Sequence, residues 1–194
     1  MHQQITSTPA PPQGYKPALP FEYPRLGLQV MAISLVIITL PLLFWLTWVL
    51  QGQTPVFRFG LLELVIVLLT IATTVVLHEL IHGLTYSLLG YKVSYGANLR
   101  LMAAYAAAFG QWQARGHNVI VALAPLLGLN GLFILLLTIP QPTLTLIAFS
   151  ALLFNTSGAV GDLYLVWRLW RTPARTLLYD IDVKTMLIYE PVDS

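Results

Sequence analysis

Two histidines and one glutamate lie close together in an apolar stretch of the sequence, as His78, Glu79 and His82. On a helix, residues four apart share a face, so both imidazoles can be offered to one metal ion. Glu79 lies about 100° around the helix from His78, where it can bind a water on the ion without being a ligand itself. The pattern His-Glu-X-X-His on a helix is typical of two zinc ligands with a general base.

The surroundings of these residues argue against a chance match to the pattern. A charged group near the centre of a bilayer costs on the order of a few kcal/mol, and three polar residues fall within five positions here. The chain has four histidines, and two of them are in the motif. The sequence therefore predicts a metal site at His78 and His82.

A catalytic zinc site has three protein ligands and one open position, so a third ligand is needed. The metzincin continuation of the motif requires Gly at position 85 and His at position 88, where this chain has Thr85 and Leu88. The chain has no cysteine, which excludes a thiolate ligand, a cysteine nucleophile and disulfide bonds. The third ligand must therefore come from another segment of the chain.

The composition predicts the elements that position this site. Hydrophobic residues make up 57% of the 194 residues and charged residues 9%, whereas soluble domains carry roughly 25% charged residues. Four apolar stretches reach the about 20 residues that a membrane span needs. They cover residues 27–50, 60–90, 119–139, with a kink expected at Pro125, and 142–167. The predicted fold class is an all-α membrane protein with four transmembrane helices.

The distribution of Lys and Arg predicts the orientation of these helices. Nine of the ten such residues lie in the N-terminal arm, in the 91–118 loop or in the C-terminal tail. They are Lys16, Arg25, Lys92, Arg100, Arg115, Arg168, Arg171, Arg175 and Lys184, and the tenth is Arg58. Both termini and the loop are therefore predicted to be cytoplasmic in a multi-pass protein, with the plasma membrane as the expected location. In a three-span alternative, with a re-entrant second segment, these nine residues would no longer lie on one side of the membrane. The orientation also explains the excess of basic residues, so no nucleic-acid partner is expected.

Depth in the membrane selects the candidate third ligand. His82 lies eight residues before Gly90, or about 12 Å, and Asp162 lies six residues before Arg168, or about 9 Å. Both would lie in the cytoplasmic half of the bilayer, so Asp162 is predicted to be the third ligand. The alternative is that Asp162 pairs with Arg168 or a neighbouring amide.

Three further polar residues are candidates for a role at the site. Glu63 lies about 22 Å along the same helix from His78, too far to be a ligand, and His117 could reach only if its loop folds back into the membrane. Asn155 lies two helical turns before Asp162 and is predicted to hydrogen-bond the substrate backbone or an oxyanion. An interhelical hydrogen bond is the equally open alternative for Asn155.

The loop between the second and third helices has a strand-like or membrane-dipping character. Tyr91, Val93 and Tyr95 alternate with polar residues, Gly96 and Asn98 suggest a turn, and the stretch 99–109 is apolar. We expect a short hairpin or a membrane-dipping loop, in which an edge strand at Val93 and Tyr95 binds substrate in extended form. A simple amphipathic linker is the alternative.

The segment His78-Glu79-Leu80-Ile81-His82-Gly83, followed by Asn155 and Gly161-Asp162, resembles the site-2 protease class of intramembrane zinc metalloproteases. It more closely resembles a family of unknown function described as putative zincin peptidases, in which an Ala-Pro helix, here Ala124-Pro125, and a late Gly-Asp segment follow the motif. The resemblance covers roughly residues 60 to 180, and it implies Zn²⁺ and hydrolysis of peptide bonds.

The chain departs from the site-2 pattern near the third ligand. Site-2 proteases carry a proline between the Asn and the Asp, and an Asp-Gly order, whereas this chain has Gly158 and Gly161-Asp162. That departure argues against a broken helix at the ligand and against a substrate path like theirs. Gly158 and Gly161 themselves allow a close helix approach, or a local opening of this helix.

The sequence thus predicts three regions and one main function. Residues 1–26 are expected to be a disordered Pro-rich cytoplasmic arm, residues 27–170 a transmembrane metalloprotease domain, and residues 171–194 a surface tail without chemistry. No signal peptide is expected, since a basic first region and a cleavage site are missing. The expected partners are the lipid bilayer and a peptide or membrane-protein substrate. The alternatives are a non-catalytic metal-binding regulator and a transporter of metal or small solutes.

Overall fold

The computed structural model describes residues 8–58, 60–98 and 103–192, and these contain five helices and six short strands. The helices are α1 (Arg25–Gln51), α2 (Leu61–Leu88), α3 (Arg115–Leu137), α4 (Pro142–Gly158) and α5 (Val160–Trp170). The strands are β1 (Leu19–Phe21), β2 (Ser94–Asn98), β3 (Ala103–Ala107), β4 (Trp112–Ala114), β5 (Leu177–Asp180) and β6 (Met186–Tyr189).

The chain forms two compact units, whose boundaries fall at the start of α1 and within α2, α3 and α5. The strand-bearing unit comprises residues 8–24, 79–98, 103–124 and 162–192. The helical unit comprises residues 25–58, 60–78 and 125–161.

Three helices are long and apolar enough to cross a membrane. Helices α1, α2 and α3 have 27, 28 and 23 residues, compared with the about 20 that a span requires. Helices α4 and α5 pass the same test only as a pair, and they are bent by 42° at their junction. By length and composition, the described residues therefore offer three spans, or four if the bent pair is one span.

The predicted fourth helix is broken, whereas the sequence argument favoured a continuous helix over 142–167. Helix α4 ends at Gly158 and is capped by Ala159, whose N–H donates to the carbonyl of Asn155. Helix α5 begins at Val160 and carries Asp162 in its first turn. The helix thus breaks between Asn155 and Asp162 even though no proline lies there. Gly158 and Gly161 have no side chains that could pack and hold the junction of α4 and α5 straight.

The described residues are mostly helical, but they are not all-α as predicted, because four strands form an antiparallel sheet in the order β1-β6-β5-β4. Strand β1 comes from the predicted disordered arm, and β5 and β6 come from the predicted surface tail. Leu178 and Tyr189 of the tail are fully buried. The β5–β6 connection is fixed by Asp182, whose carboxylate accepts hydrogen bonds from the backbone N–H groups of Lys184 and Thr185. Residues 1–7, with His2, and residues 193–194 lie outside the described residues.

A hairpin follows α2, as the strand-like alternative predicted. Strands β2 and β3 pair antiparallel, with Tyr95 opposite Ala106. The turn is not at Gly96 and Asn98, which lie within β2. The connection at 99–102, including Arg100, lies outside the described residues.

An apolar cluster holds the strand-bearing unit together. Its fully or nearly buried members come from β1, α3, α5, β5 and β6, and they are Phe21, Ala122, Leu165, Leu169, Leu178 and Ile188. Helix α5, which carries Asp162, is thus packed on the sheet through Leu165 and Leu169. Burial of each large aliphatic side chain contributes about 1.5–3 kcal/mol, so the sheet and α5 stabilise each other.

The helical unit is held by α1 packing on α4. Phe44, Phe57 and Phe149 stack edge to face with ring centroids 4.9 to 6.2 Å apart. At one end of the unit, Gln51 donates to the carbonyl of Leu137 at 2.7 Å and to the Thr145 hydroxyl at 2.9 Å.

One acidic side chain is buried in the sheet, at the end of β5. Asp180 is 5% exposed, and its Oδ2 accepts a hydrogen bond from Gln113 Nε2 at 2.9 Å. Burial raises the pKa of the Asp180 carboxyl from 3.8 to about 6, and the Gln113 hydrogen bond only partly opposes this. Compared with the unfolded chain, the folded protein therefore favours the neutral form of this carboxyl.

We expect the Asp180→Asn variant to gain stability relative to the wild type as the pH rises. Folding raises this pKa, so the wild-type contribution is fully present below pH 3.8 and is lost as the pH rises towards about 6. The neutral amide is not subject to this loss. Thermal unfolding in detergent, followed by tryptophan fluorescence at several pH values from 4 to 7, checks the prediction. Glu22→Gln, at an exposed position, is the control, and a variant-to-wild-type difference independent of pH would contradict the prediction.

Candidate metal centre

The predicted motif lies in the second half of α2, on one continuous helix. The potential ligand atoms of His78, Glu79 and His82 all lie within 4.8 Å of one another. His82 is buried, and the other two are half-buried. The i, i+4 spacing thus brings together the donors that the sequence predicted.

A backbone carbonyl fixes the tautomer of His82. Its Nδ1 lies 2.9 Å from the carbonyl oxygen of Val121 on α3. A carbonyl can only accept, so Nδ1 must carry the hydrogen, and in the neutral ring the Nε2 atom then bears the lone pair. His82 is thereby prepared to bind a metal through Nε2.

The side chain of Asn155 fixes the tautomer of His78. The Nδ1 atom of His78 lies 2.9 Å from Oδ1 of Asn155 on α4. The amide of Asn155 cannot be turned round, because its Nδ2 donates to the carbonyl of Pro125 at 3.3 Å and to Oδ1 of Asn130 at 2.9 Å. Oδ1 therefore accepts from His78, and the lone pair of His78 is again on Nε2. Metal-binding histidines characteristically have such a partner on their other nitrogen.

The structure brings Asp162 to His82. Asp162 Oδ2 lies 3.5 Å from His82 Nε2, which is longer than the usual 2.7–3.2 Å of an N–H···O hydrogen bond. Two ligands on a tetrahedral zinc ion, each with a bond of about 2.1 Å, lie about 3.4 Å apart. A nitrogen lone pair facing a carboxylate repels it unless a proton or a cation lies between them. The donor types and their separation therefore fit Zn²⁺, since imidazole and carboxylate are both zinc ligands.

The β2–β3 hairpin contacts α2 one turn beyond the glutamate. Gly83 and Glu79 are four residues apart and so share a face of the helix. The phenol of Tyr95 occupies the space that a Cβ atom at Gly83 would fill. The missing side chain at position 83 thus lets the hairpin lie directly on the motif helix, with Tyr95 half-exposed.

Glu63, His117 and Val93 have other neighbours or positions in the structure. Glu63 lies in the first turn of α2. His117 is in the first turn of α3, where its Nδ1 lies 2.8 Å from the Tyr91 hydroxyl. Val93 packs against the cluster of Tyr86, Ala108 and Val121.

The predicted substrate contact of Asn155 stays a prediction. Asn155 is 3% exposed and its amide already has partners on both atoms. The interhelical hydrogen bonds weighed as the alternative are present, and they extend through Asn130, whose Nδ2 donates to the Thr156 hydroxyl at 2.9 Å. The sequence argument did not weigh Asn130 or the carbonyl of Val121, although an Asn within an apolar span was a visible signal.

One comparison with known proteins gives a match. A family model described as "Putative zincin peptidase" matches residues 71–177, which is more than half of the chain. The matched range includes the motif half of α2, the hairpin, α3, α4 and α5. No curated protein and no solved structure matches this chain.

We expect Gly83→Ala to destabilise the protein by about 1–3 kcal/mol, because the added methyl overlaps the Tyr95 phenol. The control is Gly131→Ala in α3, where an added Cβ meets nothing within 4 Å and helix propensity alone favours alanine by about 1 kcal/mol. Thermal unfolding midpoints in detergent give the comparison. Combining Tyr95→Ala with Gly83→Ala should remove the clash. If Gly83→Ala were as stable as Gly131→Ala, the hairpin would not lie on Gly83.

Proposed function

This chain belongs to the putative zincin peptidase family, and on that premise we propose that it is a membrane-embedded zinc metallopeptidase. The family implies a metallopeptidase, and the motif group on α2 is able to bind a metal. The observation that carries the proposal is the pairing of His82 Nε2 with Asp162 Oδ2 at 3.5 Å, at the end of the motif group.

The exposed surfaces of the helices support a location in the membrane. Large aliphatic side chains cover α1 and α2, and Ile33, Ile37, Leu62 and Leu69 are each more than 60% exposed. Water-exposed apolar patches of this extent are rare on soluble monomers, whereas hydrocarbon chains solvate such side chains without cost. The bilayer is thus the partner that this surface fits.

The four-stranded sheet supports the proposal that the chain crosses the membrane an even number of times between one strand of the sheet and the next. It joins β1 from the N-terminal arm, β4 from the 91–118 loop, and β5 and β6 from the tail. Strands of one sheet must lie on one side of a bilayer, so α1 and α2 would each cross once. Helix α3 and the bent pair α4–α5 would likewise each cross once. Four spans satisfy this condition, and a re-entrant second segment does not.

The side of the membrane follows from the charges. The three segments that this sheet joins are also those that carry nine of the ten Lys and Arg residues. The positive-inside rule then gives cytoplasmic termini and a metal centre in the cytoplasmic half, with the plasma membrane as the proposed location.

The proposed ligands are His78, His82 and Asp162, and Glu79 is the proposed general base. When bound, Zn²⁺ would lower the pKa of a water molecule towards about 7 and polarise the scissile carbonyl. Glu79 takes a proton from the attacking water and passes it to the leaving amine as the C–N bond breaks. Val121 and Asn155 hold the imidazoles in orientation, through the hydrogen bonds described above.

The proposed substrate is a peptide or a membrane protein bound near the hairpin. Proteases need access to an extended backbone, and an edge strand supplies it by pairing. In the described residues, the β2–β3 sheet has two strands, so β2 pairs on one side with β3. We assign substrate pairing to the segment of Val93 and Tyr95. A likeness to the site-2 class, carried by the His-Glu-X-X-His motif, is part of the proposal.

We expect Glu79→Gln to keep zinc but to lower peptide cleavage by at least about 100-fold, the contribution of a positioned general base. His82→Ala and Asp162→Ala should instead lose the metal. Zinc content by atomic emission and cleavage of a synthetic peptide mixture by mass spectrometry, both on purified protein in proteoliposomes, give the two readouts.

These readouts distinguish the alternatives. If Glu79→Gln cleaved peptides at the wild-type rate, Glu79 would not be the general base. Full zinc in Asp162→Ala would remove Asp162 from the ligands. Bound zinc without cleavage of any peptide would favour a regulator, and zinc flux across the liposome membrane would favour a transporter.

We expect Val93→Pro to slow cleavage about tenfold without loss of zinc, because proline removes a backbone donor from the proposed edge. Val93 precedes β2, so the β2–β3 pairing itself is spared. Val93→Ala is the matched control for the lost side chain. If proline and alanine slowed cleavage equally, or neither did, backbone pairing of substrate at this edge would be excluded.

A further inference from the structure

Helix α3 contains a buried proline directly beside the metal centre. Pro125 lies within the helix, which continues on both sides of it, and it is among the fully buried side chains. A proline in a helix interior removes one backbone hydrogen bond and costs about 3 kcal/mol. The position therefore calls for a reason other than helix stability.

The missing hydrogen bond is that of Val121. In an α-helix, the carbonyl of residue i accepts from the N–H of residue i+4, so the N–H at position 125 would serve the carbonyl of Val121. Proline has no N–H. Val121 is 4% exposed, and a buried carbonyl without a donor costs free energy comparable to a lost hydrogen bond. The carbonyl of Val121 accepts instead from His82 Nδ1, at 2.9 Å.

The carbonyl of the same proline acts on the other histidine. Pro125 O accepts from Nδ2 of Asn155 at 3.3 Å, and this bond sets which end of the Asn155 amide faces His78. Proline keeps its carbonyl while losing its N–H. The two carbonyls that bear on the imidazoles thus both depend on residue 125: Val121 through the N–H that Pro125 lacks, and Pro125 through its own carbonyl.

We infer that Pro125 is a positioning residue for both metal-binding histidines. Its missing N–H leaves the Val121 carbonyl to orient His82, and its carbonyl orients Asn155 and through it His78. This inference rests on the proposed metal site, but the tautomers that it assigns belong to the protein itself. Both imidazoles carry hydrogen on Nδ1 before any metal binds, so that Nε2 is the atom left to bind the metal.

The first test is Pro125→Ala, which restores an N–H at position 125 that competes with His82 for the Val121 carbonyl. We expect the dissociation constant for Zn²⁺ to rise by about 10- to 100-fold, the usual effect of losing a hydrogen-bond partner of a ligand. Competition with a chelator of known affinity, on full-length protein in detergent, measures the constant. Pro41→Ala makes the same chemical change inside α1 and should leave zinc affinity unchanged.

The second test reads the tautomers directly, by ¹⁵N-edited NMR of histidine-labelled protein kept free of metal. In the wild type, His78 and His82 should both show hydrogen on Nδ1. Pro125→Ala should redistribute the hydrogen in His82 and leave His78 unchanged, because alanine keeps the carbonyl at position 125. Asn155→Leu should instead redistribute the hydrogen in His78 and leave His82 unchanged. A general loss of packing would alter both rings together.

A backbone ester at position 125 provides the rescue. Lactic acid incorporated there has the methyl group of alanine but no N–H, so zinc affinity and the His82 tautomer should return to their wild-type values. A His82 without hydrogen on Nδ1 in the wild type would overturn the inference, as would wild-type zinc affinity in Pro125→Ala. A wild type that binds no zinc but shows the expected tautomers would reject the proposed function and leave the tautomer assignment standing.

Discussion

The hydrogen bond between His82 and the carbonyl of Val121 is the interaction on which the candidate centre depends. It links the motif helix to α3 at 2.9 Å, and it leaves Nε2 as the atom that faces Asp162. Without it, the imidazole could rotate or change tautomer, and Nε2 would no longer be held at 3.5 Å from the Asp162 carboxylate. A five-residue motif thus becomes a defined donor set only because other helices supply hydrogen-bond acceptors at the correct places.

The local part of this arrangement could be predicted from the sequence. The spacing of His78 and His82 requires a shared face on any helix, and the apolar stretch around them requires a helix long enough to span a bilayer. Asp162 could be selected because ionisable residues are few in the apolar stretches, and the structure places it next to His82. Tyr95 could be assigned to a hairpin because aromatic and polar residues alternate there.

The non-local part could not be predicted. The sheet assembles strands of three or four residues from both ends of the chain, and such short segments carry too little periodicity to be distinguished from loops. The break at Ala159 follows from the conformation of a glycine-flanked junction, which composition alone leaves open. The partner of His82 is a backbone carbonyl, which has no signature in the sequence except the proline four residues later.

The order of the sheet also bears on how the molecule matures during synthesis. Strand β1 is made before any of the helices, yet it pairs with β6, which is made after all of them. The pairing of the earliest strand with β6 must therefore wait until the last strand has left the ribosome. Since Leu165 and Leu169 pack in the same cluster as Ile188, α5 gains its final support at that late moment. In a nascent chain, Asp162 on α5 would therefore be among the last residues to be held in place.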